Sequence, residues 1–307
     1  MGSVRSMRKQ ESPNNRGESQ YIAILPVKDG EEHIEESVLS LLSQTHPPRR
    51  VYIIDDGSHD TTPQILQRMT QEAHGKIEVI RHESSGKDFQ RIPLLYNLAL
   101  KEVPQTKRPD FILFTSDDAV YQRTYMEQLL SEFNKDERLV VASGDFEEKQ
   151  PFERAPQGTG RLISYPYYAS VGGYPEELWG WESWILFKAL MDERKIKCFP
   201  DIRFQHVRPY SNASIKTFGY AMYCLGYSPL LVLSRFGINF LRRYITFKQN
   251  WIMLYGWVSA HWKHFSKADE EFRRQLRKKQ HTRIKTILRI IYKPFKSKKR
   301  PEKRQIC

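Results

Sequence analysis

The sequence predicts an α/β fold: a doubly wound sheet in the first two thirds, followed by a helical extension. Three observations carry this. Short runs rich in Ile, Val, Phe and Tyr alternate with segments of helical spacing. Pairs of adjacent acids stand at the ends of two of those runs. From about residue 212 the pattern changes to apolar and aromatic helical stretches.

The elements follow in chain order. The first twenty residues are polar and lack the apolar core of a secretion signal, and 1–19 are expected to be disordered. YIAILPV (21–27) reads as a buried strand, and Ile34, Val38, Leu41 and Leu42 then share one helical face that stops at THPP. VYIID (51–55) is the second strand. In SHDTTPQILQRM, polar caps and Pro63 open a helix whose buried side is Ile65, Leu66 and Met69. KIEVIRH (76–82) and DFILFTSDD (110–118) supply two more strands. Residues 144–180, rich in Gly, Pro and aromatics, read as substrate-binding loops. Residues 181–192 read as a helix, and KIKCFPDIRFQH (195–206) as a strand leading to His206. The expected units are 20–211 for the sheet domain, 212–272 for a helical region packed on the core or lying at a membrane surface, and 273–307 for a basic tail.

Composition narrows the class. At 307 residues, 39% hydrophobic and 28% charged, the chain matches a globular body rather than a disordered or multi-spanning one. Fifteen Lys or Arg face one acid between Arg273 and Arg304, a local +14 against +13 for the whole chain, so the basic excess belongs to the tail. Interleaved with Ile284, Ile287, Leu288, Ile290 and Ile291, these residues make a basic amphipathic helix suited to an anionic membrane surface. The longer apolar helices are broken by Gly, Pro or Arg before reaching the ~18 to 20 residues that spanning requires. Three cysteines without metal-like spacing fit reduced thiols. The expected location is cytoplasmic, peripheral to the inner face of the cell membrane.

Ligands of doubly wound sheets sit beyond the carboxyl ends of the strands. Asp55 and Asp56 end the second strand, and Asp117 and Asp118 the fourth, so both pairs face one crevice. Two such pairs suit hydrogen bonding to a nucleoside and holding a hard divalent cation beside a diphosphate. In WGWESW (179–184), Glu182 stands among three tryptophans. Aromatic walls raise a carboxylate's proton affinity, which suits a general base, and aromatic faces suit stacking on a sugar. His206 ends a strand and is followed by Val207 and Arg208; such a histidine suits a metal ligand or a diphosphate contact, though a lone histidine is more often structural.

PVKDGEEHIEESVLSLLSQTHPPRRVYIIDDGSHDTT, SDDA and VGGYPEELWGWESWILFKAL together resemble the family 2 glycosyltransferases over roughly residues 20–210. The resemblance implies a GT-A fold and inverting transfer of a sugar from a nucleotide-sugar, usually with Mg or Mn. By position, Pro26, Val27, Asp29, Glu31, Asp55, Asp56 and Asp117 would hold the donor nucleotide, and Asp118 and His206 the metal. Gly173, Trp179, Trp181 and Arg208 would contact the sugar or acceptor, and Glu182 would be the base. The family often carries Asp directly after this Glu, where Ser183 stands here; Lys28 and Asp29 replace its commoner Tyr-Asn. The donor implied is a UDP-sugar and the acceptor a glycan or lipid-linked hydroxyl in cell-surface polysaccharide or glycoconjugate synthesis, with no nucleic acid as partner.

Two other classes accommodate parts of the pattern. A sugar nucleotidyltransferase uses a similar sheet and metal acids, but its Gly-rich phosphate loop is reduced here to Gly30. A nucleic-acid- or membrane-binding protein with a degenerate site would use the basic tail and leave the acid pairs without a purpose.

Overall fold

The computed structural model describes residues 19–83, 89–104, 106, 108–146, 155–208, 212–242 and 245–291; for 89, 146, 212–214, 241–242 and 281–291 it describes the backbone alone. The strands are β1 (Tyr21–Val27), β2 (Arg50–Asp55), β3 (Ile77–Arg81), β4 (Phe111–Phe114), β5 (Ala119–Tyr121), β6 (Leu139–Phe146), β7 (Arg161–Ser164) and β8 (Lys195–His206). They form one sheet in the order β3-β2-β1-β4-β7-β6-β8-β5. The β3, β2, β1 and β4 strands run parallel, β7 is antiparallel to both its neighbours, and β5 is antiparallel to β8. The sheet is therefore mixed, with the parallel half at the N-terminal side.

Helices cover both faces, as near-continuous apolar strands require. The first face carries α1 (Ile34–Leu42), α2 (Thr62–Glu72) and α4 (Tyr125–Lys135), whose Val38, Leu66 and Leu129 pack on Ala23, Leu25 and Ile53. The second carries α3 (Ile92–Glu102), α5 (Tyr165–Ser170) and α6 (Trp181–Met191), packed on Ile22, Ile24, Ile112 and Phe114. Alternate residues of β1 thus serve opposite cores, the expected consequence of a side-chain period of two.

Residues 144–180 do not remain loop. They include β7, which pairs with both β4 and β6, and α5. The sequence signal was masked because β7 is only four residues long and opens with Arg161. Beyond His206 come α7 (Asn212–Cys224), α8 (Pro229–Arg242), α9 (Phe247–Trp262) and α10 (Glu270–Ile291). Leu225, Ala268, Phe272 and Leu276 from these helices pack with Leu178, against which Trp179, Trp184 and Phe187 also lie. The helical region is thus joined to the segment that carries Glu182. Among the described residues, no helix is long and apolar enough to cross a membrane.

Candidate active site

The parallel strands deliver the acids to one edge of the sheet. Asp55 is the last residue of β2, in register with Val27, the last of β1. Asp117 and Asp118 lie three and four residues past the end of β4, in the turn that becomes β5. All four carboxylates are buried, and each has a cation close by, as buried charges require. Asp55 Oδ1 accepts from the Ser58 N–H at 2.8 Å, and Arg81 lies 3.6 Å from Oδ2. Asp56 is held by His82 Nδ1 at 3.0 Å and Arg91 Nη2 at 2.8 Å. Asp117 pairs with Arg208, whose Nε is also 3.7 Å from Asp118 Oδ2. Burial pushes the Asp117 carboxyl above the ordinary carboxylate range; Arg208 opposes that shift and the adjacent Asp118 charge adds to it.

The loop after β1 ties the two acid pairs together. Lys28 Nζ donates to the Asp56 carbonyl at 2.9 Å, and the Asp29 N–H donates to Ser58 Oγ at 2.9 Å. Asp29 Oδ1 accepts from the His59 N–H at 2.9 Å, and Glu31 Oε2 accepts from the Thr61 N–H at 2.9 Å and its hydroxyl at 2.6 Å. These two side chains therefore brace the loop that follows β2. Gly30 fits where it does because a Cβ there would stand 2.7 Å from Asp117 Oδ2. Pro26 and Val27 line the same edge, the Val27 carbonyl accepting from the Asp56 N–H at 2.9 Å.

His206, the last residue of β8, pairs in register with Ala119 and so lies beside Asp118. Its Nδ1 is 2.8 Å from the Arg208 carbonyl, which can only accept, so that nitrogen carries a proton. Its Nε2 is 3.4 Å from Asp118 Oδ1. Ser116 Oγ also donates to that oxygen, at 2.6 Å.

Glu182 occupies the first turn of α6 and is exposed. It is linked to the acids through residues 157–161. A Cβ on Gly158 would overlap the Glu182 carboxylate, and Thr159 Oγ1 reaches Ser116 Oγ at 3.3 Å. Beneath them lies Arg161, 2% exposed, donating to the carbonyls of Gln157, Pro156 and Glu182 at 2.7, 2.9 and 2.9 Å. Sequence reading missed Arg161, Arg91 and His82; a charged residue opening a strand that enters the core was the available signal for Arg161.

The tryptophans correct the expectation of aromatic walls for the base and a stacking platform for a sugar. Trp181 is buried, edge-on to Tyr96 and Tyr174 at 5.8 and 4.7 Å. Trp179 packs on Tyr220 at 5.3 Å and Trp184 stacks on Phe272 at 6.0 Å. They tie α6 to the core and to the C-terminal helices. Gly173 is likewise enclosed, its N–H donating to the Tyr168 carbonyl at 3.0 Å.

A divalent cation suits the donor set at Asp118 and His206. Among the described residues there is no metal-ready cluster of three or more His, Cys, Asp or Glu. Hard cations in nucleotide sites take one or two protein ligands and complete their shell with phosphate and water, so a small set agrees with that mode.

The chain is 26% identical over 125 residues, 40% of its length, to the minor teichoic acid biosynthesis protein GgaA of Bacillus subtilis (strain 168), and spans about a quarter (26%) of that relative. A mannosyltransferase, PcManGT from Pyrobaculum calidifontis, solved with GDP-Man and Mn2+, superposes with a TM-score of 0.60 at 15% identity, covering 82% of this chain and 89% of that one. S. aureus TarS 1-349 superposes with a TM-score of 0.53 at 18% identity over 78% of each chain. GalNAc-T7, solved with UDP, GalNAc and Mn2+, gives 0.54 at 12% identity over 74% of this chain and 53% of that one. The model of glycosyl transferase family 2 matches residues 22–206, from the start of β1 to His206, the segment that builds the sheet and every acid described above. The chain belongs to that family and has the GT-A fold.

Proposed function

We propose that the protein moves a sugar, with inversion, from a nucleotide-sugar to a hydroxyl of a glycan or lipid-linked acceptor in cell-surface polysaccharide synthesis. The observation that carries this is the joining of both acid pairs to Glu182 through one set of loops at the carboxyl edge of the sheet. A nucleotide-sugar donor is supported by solved structures of similar fold, which hold GDP-Man or UDP. The polysaccharide context is supported by the similarity to the teichoic acid biosynthesis protein.

In this reading the nucleoside lies against Val27, Asp55 and Asp56, and Asp117 takes the ribose. Asp118 and His206 would hold Mg or Mn, which when bound would offset the charge of the departing diphosphate. Arg208, next to both acids, is placed to turn toward a phosphate. Glu182 takes the proton of the acceptor hydroxyl as its oxygen attacks the anomeric carbon, and the nucleoside diphosphate leaves from the opposite face. One displacement inverts the centre. Exposure of Glu182 suits this role, since a large acceptor must reach it from outside. The acceptor is held near a membrane, to which the basic residues of 273–304 give an anionic-surface affinity; residues 292–304 of that tail lie outside the described residues.

The test is release of nucleoside diphosphate and formation of glycosylated product from a panel of nucleotide-sugars with Mn2+. Glu182→Gln is expected to lower turnover by about 10²- to 10⁴-fold with donor affinity kept. Full turnover in that variant would remove Glu182 from the role of base.

A further inference from the structure

The α8 and α9 helices carry an apolar surface that the active site does not use. Along α9, Phe247, Trp251, Tyr255, Val258 and Trp262 recur at steps of four, four, three and four, and so share one face. The opposite face, with Asn250, Met253, Gly256 and Ala260, is buried. Trp251, Tyr255 and Trp262 are 52, 62 and 78% exposed. On α8, Leu230, Leu233 and Phe240 are equally open.

Ring contacts join the two faces into one: Phe240 to Phe247 at 6.0 Å, Phe236 to Trp251 at 5.3 Å, and Phe247 to Trp251 at 6.1 Å. The hairpin beneath is fixed by buried polar contacts, Asn250 Nδ2 donating to the Phe236 carbonyl at 2.9 Å and lying with Asn239 at 3.5 Å. Contiguous exposed apolar surface of this size marks an interaction site.

Charge identifies the occupant. From 202 to 268 the sequence has no Asp or Glu and nine Lys or Arg. Lys216 lies 5.3 Å over the Tyr255 ring, and Lys248 and Lys263 directly follow the first and last residues of the α9 stripe. Trp and Tyr beside Lys are the composition of a bilayer headgroup zone. A second copy of the chain would bring the same cations together across a two-fold contact, which like charge disfavours.

We propose that this α8–α9 face docks on an anionic lipid bilayer, with its aromatic stripe in the headgroup layer and Lys216, Lys248 and Lys263 on lipid phosphates. It deepens the membrane-proximal part of the function proposed above and does not depend on the donor. The surface is distinct from the basic tail, so docking has an insertion component that salt does not screen.

The test uses the full chain with vesicles of phosphatidylcholine, alone or mixed with phosphatidylglycerol, read by co-sedimentation and tryptophan emission. The wild type is expected to bind the mixed vesicles with blue-shifted emission. Trp251→Ser with Trp262→Ser is expected to weaken binding by about tenfold or more, with the remainder removed by salt. Both positions are exposed, so unchanged thermal unfolding checks the fold of the variant. Undiminished vesicle binding by the variant would overturn the proposal, as would a wild-type dimer whose indoles are already shielded without lipid. Stabilisation by UDP and GDP with Mn2+, read on the same samples, reports on the donor site separately: its absence in both proteins would count against the transferase mechanism and not against docking.

Discussion

Each acid of the site is defined by what surrounds it. Asp55 and Asp56 were legible in the sequence because an apolar run ended in charge, and the structure buries both at the strand end expected. Glu182 was legible by position, while its surroundings were not, since spacing does not tell which way a tryptophan turns. The loop over Glu182 was also invisible: Gly158 looks like any loop glycine until the carboxylate is seen in the space a Cβ would fill. Gly158→Ala is therefore expected to displace the Glu182 carboxylate, the flexible partner in that contact. Turnover should fall by about tenfold or more with stability changed by less than about 1 kcal/mol. Steady-state kinetics beside thermal unfolding would show the split.

Among the elements, β1 and β8 were readable to the residue and α1 by its apolar face, whose helix ends at Leu42, ahead of the THPP stop. The short β7 and α5 were not, since four and six residues carry too little periodicity to outweigh Gly and Pro around them. The start of α2 shows how an element end serves the site. Asp60 Oδ1 accepts from the Thr62 N–H at 2.9 Å and Oδ2 from the Glu31 N–H at 3.1 Å, which joins the helix start to the loop after β1. Partial burial acts to raise the Asp60 pKa, but the Thr62 and Glu31 hydrogen bonds outweigh it and hold the carboxyl below its usual range. A folded-state pKa below the unfolded one gives stability that is present above the unfolded value and lost as pH falls through the folded value. Asp60→Ala is expected to cost about 1 kcal/mol at neutral pH, a difference that shrinks as acid protonates the wild-type carboxylate. Urea unfolding at several pH values measures it.

For the whole molecule, the parallel half of the sheet gathers the acids, the mixed half, in which β8 runs parallel to β6 and antiparallel to β5, brings His206 and Arg208 to them, and the C-terminal helices pack behind α6. The sequence showed the first of these directly. The second came from the family resemblance alone and not from the local pattern, because β5 is three residues long and its pairing with β8 depends on a turn of acids that reads as loop. The central claim is that this junction of Asp118 and His206 is where donor and metal meet. Calorimetric titration with uridine, cytidine and guanosine diphosphates, with and without Mn2+, tests it most directly. The account predicts that one nucleotide binds, that binding needs the metal, and that Asp118→Asn weakens it by about tenfold or more. Equal binding without metal and in the variant, or no binding of any of the three, would contradict it.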